Sequence, residues 1–365
     1  MLRDPRVQKM AEVLVQYSLG VQPGQQVCIV SSPAAGPLIA AVYGEVLKAG
    51  GLPAVHLSLP ELNGILLAEG SDEQLDYVTP FNRSLWDEFD AIVSIRAEDN
   101  TRANMEVPAA RVAIQGKAAR RYSKSFAWMQ EGRPYASTQF PTAAYAQDAG
   151  MSLSDYEDFV FHACKLDQPD PISAWREVHE AQQRLVDWLR GKKQVHVESP
   201  NIDLSLSIEG RVFINSDGHN NFPSGEIYTG PVEDSVSGRI GFTYPALYAG
   251  HEVEDVSLTF ERGRVTSFEA GRGSDFLAAM LDTDAGARRL GEFAIGTNTD
   301  ITRFTRNVLF DEKIAGTMHC ALGQTYPATG GQNTSSIHWD MVADMHEGRI
   351  TVDGTPFYEA GRFLI

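Results

Sequence analysis

Two patterns of hydrophobic and polar residues follow each other along the chain. In the first half, short apolar runs typical of buried strands alternate with stretches whose apolar residues recur at helical spacing. The predicted strands are 26–30, 53–59 and 89–95. Helices are predicted at 7–15 and 37–48, the second ending at the glycine stop signal Ala49-Gly50-Gly51. Continuous apolar strands separated by helices indicate a parallel, doubly wound sheet.

The pattern changes near residue 192. Before that point, further helices are predicted over 138–164 and 173–191. After it, apolar and polar residues alternate with a period of two, which is typical of half-buried strands. These strands are predicted at 194–198, 203–208, 253–260 and 264–268, with one more helix over 275–290. We therefore predict an α/β protein with an N-terminal doubly wound parallel-sheet domain, residues 1–192, followed by a β-rich α+β domain, residues 193–365, that carries the metal-binding and catalytic candidates.

Composition narrows the class of function. The 365 residues are enough for two domains, and 43% hydrophobic with 22% charged residues is ordinary for a globular enzyme. The 31 basic and 48 acidic side chains leave a net charge of −17, which repels nucleic-acid phosphate and anionic lipid, so neither nucleic acid nor membrane is an expected partner. Three widely spaced cysteines and the lack of an 18-residue apolar stretch predict a cytoplasmic protein.

Candidate metal ligands concentrate in the second half. His319, His338 and Asp340 bring two imidazoles and a carboxylate into about two dozen residues. His338 and Asp340 are two apart on a predicted strand, so both point the same way. Glu226, in a loop fixed by Pro and Gly, and Glu292, between glycines, add two carboxylates. Such a mixed set exceeds what one catalytic zinc takes and can hold two divalent ions such as Zn, Co, Mn or Mg.

Each candidate taken singly has a more ordinary interpretation. Glu226 or Glu292 alone would more often be a solvated surface charge, and His319 or His338 alone a hydrogen-bonded imidazole in the core or at the surface. The seven other histidines are expected to be of that ordinary kind. Cys320 is expected to be a small core residue, because no helix N-terminus or basic partner lowers the pKa of its thiol.

Four ordered blocks carry a family resemblance. They are NFPSGEIYTGP at 221–231, GEFAIGTN at 291–298, LFDEKIAGTMHCALGQTYP at 309–327 and SIHWDM at 336–341, to which VQYSLGVQPGQQV at 15–27 adds an N-terminal segment. Together they resemble the thermophilic aminopeptidase family typified by aminopeptidases T and S, over essentially the whole chain. The resemblance implies a metallo-aminopeptidase with two divalent ions, an N-terminal α/β domain and a C-terminal catalytic domain. It also implies a homodimer and peptide substrates with a free N-terminus.

The resemblance also implies roles for particular residues. The metal ligands would be Glu226, Glu292, His319, His338 and Asp340. Tyr326 would be the catalytic phenol, Glu292 or Glu226 would accept a proton from water, and Glu312 would be either a further ligand or a base behind the ligands. The connection from Tyr326 to His338 looks shorter than in bacterial members, so no expectation about the substrate pocket follows.

The alternative is a mononuclear non-haem iron enzyme of the ring-cleaving dihydroxypyridine dioxygenase type. His319, His338 and Asp340 alone satisfy the pattern of two imidazoles and one carboxylate that holds such an iron. Glu226 and Glu292 discriminate, because that site has no need of two more carboxylates. A nucleotide-binding module in the first half has little support, since no GxGxxG follows a predicted strand.

Overall fold

The chain forms two compact units, each with its own sheets. The structure, a computed structural model, describes residues 4–365, except for the side chains at 109 and 126. One unit consists of residues 4–175 with Gly218–Pro223, and the other of Arg176–Asp217 with Ser224–Ile365. The domain boundary at residue 192 stays a prediction.

Helices and strands cover most of the described chain. The α-helices are α1 (Pro5–Glu12), α2 (Gly36–Lys48), α3 (Pro60–Glu69), α4 (Asp72–Leu75), α5 (Pro80–Glu88), α6 (Ala109–Tyr122), α7 (Ser125–Glu131), α8 (Ala143–Asp148), α9 (Leu153–Ala163), α10 (Pro171–Leu189), α11 (Ser274–Leu281) and α12 (Val308–Asp311). The strands are β1 (Gln26–Ser31), β2 (Leu52–Leu57), β3 (Ala91–Arg96), β4 (Tyr135–Gln139), β5 (Gln194–Ser199), β6 (Ile202–Ser207), β7 (Ile214–Ser216), β8 (Asn221–Phe222), β9 (Glu226–Thr229), β10 (Ser237–Gly241), β11 (Ala246–Tyr248), β12 (His251–Val253), β13 (Ser257–Glu261), β14 (Arg264–Glu269), β15 (Leu290–Gly296), β16 (Thr317–Gly323), β17 (His338–Asp344), β18 (Arg349–Val352), β19 (Thr355–Glu359) and β20 (Arg362–Phe363). A π-helical segment, Val13–Ser18, follows α1, and single 3-10 turns lie at Pro33–Ala35 and Pro327–Thr329.

The first unit contains a five-stranded sheet in the order β2-β1-β3-β4-β8, and every neighbouring pair is parallel. Val27, Cys28 and Ile29 of β1 are consecutive buried residues, as a strand between two layers of helices requires. Helices α1 and α5 begin with common N-terminal capping residues. Pro5 and Pro80 occupy their first turns, and the side chains of Asp4 and Thr79 accept hydrogen bonds from backbone N–H groups of those turns. The predicted parallel α/β architecture is confirmed.

The second unit is built from antiparallel sheets. The larger has eight strands in the order β14-β13-β10-β6-β5-β18-β19-β20. A five-stranded sheet has the order β17-β16-β15-β9-β7, and β11 and β12 form a separate hairpin. One face of the five-stranded sheet lies in the hydrophobic core, where the side chains of Phe293, Met318, Cys320, Trp339 and Met341 are at most 1% exposed. Since side chains alternate along a strand, the opposite face is available to other residues.

Several predicted elements are wrong in their extent. The helix predicted over 275–290 ends at Leu281, and Leu290 already belongs to β15. The region 138–164 is two helices, separated where Gly150 takes φ +63°, rather than one. The strand predicted over 253–260 is broken at Asp255, whose φ of +53° is incompatible with a continuous strand. Strands β4 and β8 of the parallel sheet were not predicted.

Among the described residues, no helix combines the length and the apolar character needed to cross a membrane.

Candidate metal centre

Neighbouring strands of the five-stranded sheet carry the five predicted ligands. Glu226 is the first residue of β9, Glu292 lies in β15, His319 in β16, and His338 and Asp340 in β17. These four strands are consecutive in the sheet. Residues up to 114 positions apart in sequence are therefore brought to the same part of the sheet.

The pairing register puts these side chains on one face. Glu292 pairs with Ala321, which in turn pairs with Asp340 on the next strand. His319 pairs with Ala294, two residues from Glu292. Directly paired residues and residues two apart share a face, so the ligand candidates all lie opposite the apolar core face. The two alanines between them leave space for the longer side chains.

The segment that carries Glu292 lies between two glycines, Gly291 and Gly296. A Cβ at Gly291 would lie 2.3 Å from the carbonyl oxygens of Gly323 and Gln324, and a Cβ at Gly296 would lie 2.1 Å from the carbonyl oxygen of Ile314. Backbone therefore approaches this strand too closely for any larger residue. This accounts physically for the carboxylate between glycines seen in the sequence.

Backbone carbonyls orient both imidazoles. His319 Nδ1 lies 3.0 Å from the carbonyl oxygen of Glu312, and His338 Nδ1 lies 2.7 Å from that of Gln324. A carbonyl oxygen only accepts, so each Nδ1 carries the proton and donates it. Each Nε2 then points toward the carboxylates, which is the usual arrangement of a histidine that binds a metal through Nε2.

Glu292 stands between the two imidazoles. Its Oε1 lies 3.4 Å from Nε2 of His319, and its Oε2 lies 3.3 Å from Nε2 of His338. Glu226 Oε2 lies 3.6 Å from the same nitrogen of His319, and Asp340 Oδ1 lies 3.3 Å from that of His338. One oxygen of Glu292 therefore lies with His319 and Glu226, and the other lies with His338 and Asp340.

A fourth carboxylate and a buried lysine complete the cluster. Glu312 follows α12 and contacts the ammonium of Lys313, which is fully buried and also lies 3.5 Å from Glu226 Oε1. Next to them, Asp311 accepts hydrogen bonds from the backbone N–H groups of Thr305 and Asn307, both at 2.7 Å. Asp311 therefore fixes a loop, whereas Glu312 faces the other carboxylates.

Burial and mutual repulsion shift the ionisation of these groups. Burial raises the pKa of Glu226 to about 7, against the opposing effect of the Lys313 ammonium. Burial disfavours the protonated form of His319, but Glu292 and Glu226 outweigh it and raise its pKa to about 9. Burial also opposes ionisation of Asp340, yet the neighbouring His338 lowers its pKa to about 2. The site is a concentrated, strongly interacting set of charges.

The side chains fit a divalent metal. Glu226 Oε2 and Asp340 Oδ1 are buried oxygens without a hydrogen-bond partner among the described residues. An unpaired buried carboxylate oxygen is costly, and a cation would compensate it. Three groups of side chains have ligand atoms within 4.8 Å of one another: Glu226, Glu292 and His319; Glu292, His338 and Asp340; and Glu312, His319 and Asp340.

Tyr326 lies beside this cluster. Its ring centroid is 5.2 Å from that of His338, in an edge-to-face arrangement, and 5.2 Å from that of Tyr228. Burial raises the pKa of Tyr326 well above its usual value, and Glu292 adds to the effect. The phenol is therefore a proton-bearing hydrogen-bond donor at neutral pH.

The structure brings all seven predicted site residues together, but their individual roles stay predictions. Sequence reasoning missed Lys313 and Tyr228, which lie in the same cluster. Tyr228 is two residues after Glu226 on β9, so the period-two argument used for His338 and Asp340 would have found it. Lys313 carried no such signal, because a lysine next to a glutamate is usually exposed.

Comparison with known proteins identifies the family. Residues 3–363 match the family described as thermophilic metalloprotease (M29). The chain belongs to this family. Together with the aminopeptidase relatives described below, this match confirms the predicted class of enzyme, a metallo-aminopeptidase hydrolase, and with it the need for a divalent metal. The alternative of an iron dioxygenase receives no support from M29 membership.

Individual M29 relatives agree along the chain. Aminopeptidase 2 of Geobacillus stearothermophilus is 29% identical, over 99% of this chain and 98% of its own. Aminopeptidase T of Thermus thermophilus is 30% identical over 56% of this chain and 58% of its own. The solved structure of wild-type AmpT from Thermus thermophilus superposes with a TM-score of 0.85 at 24% identity, over 99% of both chains, and supports the fold.

Metal removal should destabilise this M29 protein. A ligand that binds only the folded state stabilises it by about 4 kcal/mol at roughly 1,000 times its dissociation constant. We expect dialysis against a chelator to lower the midpoint of thermal unfolding by several degrees, and added Zn or Co to restore it. In His338→Ala the chelator should lower the midpoint by less than in the parent. His346 is an exposed histidine that contacts Asp344, so His346→Ala is the control and should respond as the parent does. Equal midpoints with and without chelator would contradict the fit of these side chains to a metal.

Proposed function

We propose that this protein is a dinuclear metal-dependent aminopeptidase, which removes N-terminal residues from peptides. The observation that carries the proposal is the position of Glu292, whose two oxygens face two different imidazoles at 3.4 and 3.3 Å. A carboxylate in that position can bridge two ions, as two-metal hydrolases require. M29 membership supports peptide hydrolysis, and the names of its aminopeptidase relatives support the preference for chain ends.

The ligands divide into two overlapping sets. Glu226, Glu292 and His319 would hold one ion. Glu292, His338 and Asp340 would hold the other. Glu312 has candidate partners in His319 and Asp340, so both of its predicted roles, ligand or base, remain part of the proposal. Carboxylate and imidazole ligands accept Zn, Co, Mn and Mg, so the ligand types favour no single metal.

When bound, two such ions polarise the scissile carbonyl and lower the pKa of a water molecule towards neutrality. The protein then has to accept the proton of that water. Glu292 and Glu226 are the candidates, because both are buried in the cluster and held by imidazole or ammonium groups. Later transfer of the proton to the leaving amine completes hydrolysis of the peptide bond.

Tyr326 is proposed to stabilise the negative charge that develops on the carbonyl oxygen. Burial keeps its phenol protonated, and its ring packs against that of His338, one of the proposed ligands. A hydrogen bond made to the oxyanion and absent in the ground state lowers the barrier by about 3 kcal/mol in comparable enzymes.

Recognition of a free N-terminus follows from the charge of the site. The site holds four carboxylates, those of Glu226, Glu292, Glu312 and Asp340, and one buried ammonium group, that of Lys313. The imidazoles of His319 and His338 are neutral when they bind a metal. A substrate ammonium group can pair with a carboxylate of this cluster, whereas an internal peptide N–H brings no charge. The homodimeric state and the cytoplasmic location stay predictions.

Metal dependence and stoichiometry test the proposal. We expect a chelator to abolish hydrolysis of aminoacyl anilides, Co or Zn to restore it, and metal analysis of the active protein to give two ions per chain. In Glu292→Gln the metal content should fall below one ion per chain, because the substitution removes the ligand that both ions share. Full activity in the metal-free protein, or one iron per chain with oxygen uptake, would refute a dinuclear aminopeptidase.

The role of Tyr326 has its own test. We expect Tyr326→Phe to lower kcat by about 100-fold, as the loss of about 3 kcal/mol requires, with unchanged metal content. Tyr358→Phe is the matched control, since Tyr358 is a buried tyrosine of β19 whose hydroxyl has no hydrogen-bond partner among the described residues. Its turnover should equal that of the parent. If Tyr326→Phe also turned over normally, Tyr326 would not be the oxyanion donor.

A further inference from the structure

The first unit contains a cavity at the carboxyl ends of its parallel strands. Strand β1 connects to β2 on one side, and its other neighbour, β3, connects to β4 on the opposite side, so the connections from β1 and β3 run in opposite directions. In open α/β sheets, ligands bind at the carboxyl ends of the strands next to such a reversal. Here a cavity of about 490 Å³ lies against the ends of β1, β2 and β3. Its volume falls in the range of small-molecule sites.

Hydrogen bonds connect the strand ends at the base of this cavity. The Ser31 hydroxyl donates to the carbonyl oxygen of Ile95 at 2.8 Å, and the Ser32 hydroxyl donates to that of Ala97 at 2.5 Å. Both serines are buried, and both bonds join the end of β1 to the end of β3. The ends of β1 and β3 at the base of the cavity are therefore preorganised, and the connection after β3 and the first turns of α3 complete the lining.

The charges that line the cavity are mixed. Arg96, the last residue of β3, is the single basic side chain among them, and it has no ion-pair partner within 4.0 Å among the described residues. Glu61, Glu98 and Asp99 are the acidic ones, and none of them has an ion-pair partner in that part of the chain either. Arg96, Glu98 and Asp99 are exposed at the mouth of the cavity, and partial desolvation still raises the pKa of Glu98 while Arg96 opposes this shift.

This combination selects a class of ligand. Three carboxylates repel a nucleotide or another polyphosphate, and Arg96 disfavours a polyamine. A molecule with one carboxylate and one ammonium group matches both signs, since an arginine binds a carboxylate through paired N–H donors. Apolar wall is also available, from Val30, Ile95 and Ala97.

We propose that this cavity binds a free α-amino acid with an apolar side chain, its carboxylate paired with Arg96 and its ammonium paired with Glu98 and Asp99. None of the residues of the candidate metal centre lines this cavity, whose lining residues all lie between positions 30 and 104. The proposal does not depend on the catalytic mechanism. Such a site would let the protein respond to the concentration of free amino acids.

Equilibrium dialysis of the full-length, metal-loaded protein with labelled L-leucine tests the proposal. We expect Arg96→Gln to lose one equivalent of bound leucine per chain, or to bind it about tenfold or more weakly. Arg83→Gln is the matched control, as an exposed arginine of α5 outside the cavity, and it should bind leucine as the parent does. Glu98→Gln should weaken the same equivalent, with the exposed Glu88→Gln as its control. Thermal unfolding of each variant verifies that it is folded.

Two truncated analogues test the requirement for both charges. 4-Methylpentanoate lacks the ammonium group of leucine and isoamylamine lacks its carboxylate, and neither is a substrate for hydrolysis. We expect neither to displace the Arg96-dependent leucine at concentrations where unlabelled leucine does. Displacement by either analogue at the leucine concentration would refute the zwitterionic ligand. If Arg96→Gln bound as much leucine as the parent, the proposed site would be refuted. Leucine bound only at the metal centre would give this result.

Discussion

Compensation of buried negative charge is the constraint on which the second unit depends. Its five-stranded sheet carries Glu226, Glu292 and Asp340 on one face, and Glu312 approaches them from the end of α12; the groups that face these carboxylates are two imidazoles and the fully buried Lys313. Removing a carboxylate from water costs several kcal/mol unless partners replace the lost hydration. Two of the carboxylate oxygens lack a hydrogen-bond partner among the described side chains. A divalent cation bound by these side chains would supply the missing compensation, and its binding would then be linked to folding.

Because side chains alternate along antiparallel strands, one sheet can pack against the hydrophobic core and also carry the charged cluster. One face of β15, β16 and β17 supplies large apolar residues to the core, and the other supplies the charged cluster with alanines between. Backbone carbonyls of Glu312 and Gln324 fix the imidazole orientations without using further side chains. The rigid core therefore holds the charged groups at fixed separations, which is what preorganised electrostatic catalysis requires.

Much of this arrangement could be predicted from sequence, because it depends on local periodicity. Continuous apolar runs predicted three strands of the parallel sheet, and the two-residue spacing of His338 and Asp340 predicted a shared face. Other features depend on contacts between distant segments. Strand β8 has only two residues and is a strand through its pairing with β4 alone. The position of Glu292 between two imidazoles depends on the register of three strands, which spacing along the chain does not specify. The burial of Lys313 likewise follows from carboxylates contributed by other elements.

We propose that Glu292 is shared by two metal ions, and anomalous diffraction from crystals of the protein loaded with Co or Zn measures this most directly. Two anomalous peaks about 3.5–4 Å apart are expected, one next to each oxygen of Glu292. The first should also contact Glu226 and His319, and the second His338 and Asp340. A single peak, or a second peak that does not contact Glu292, would contradict it.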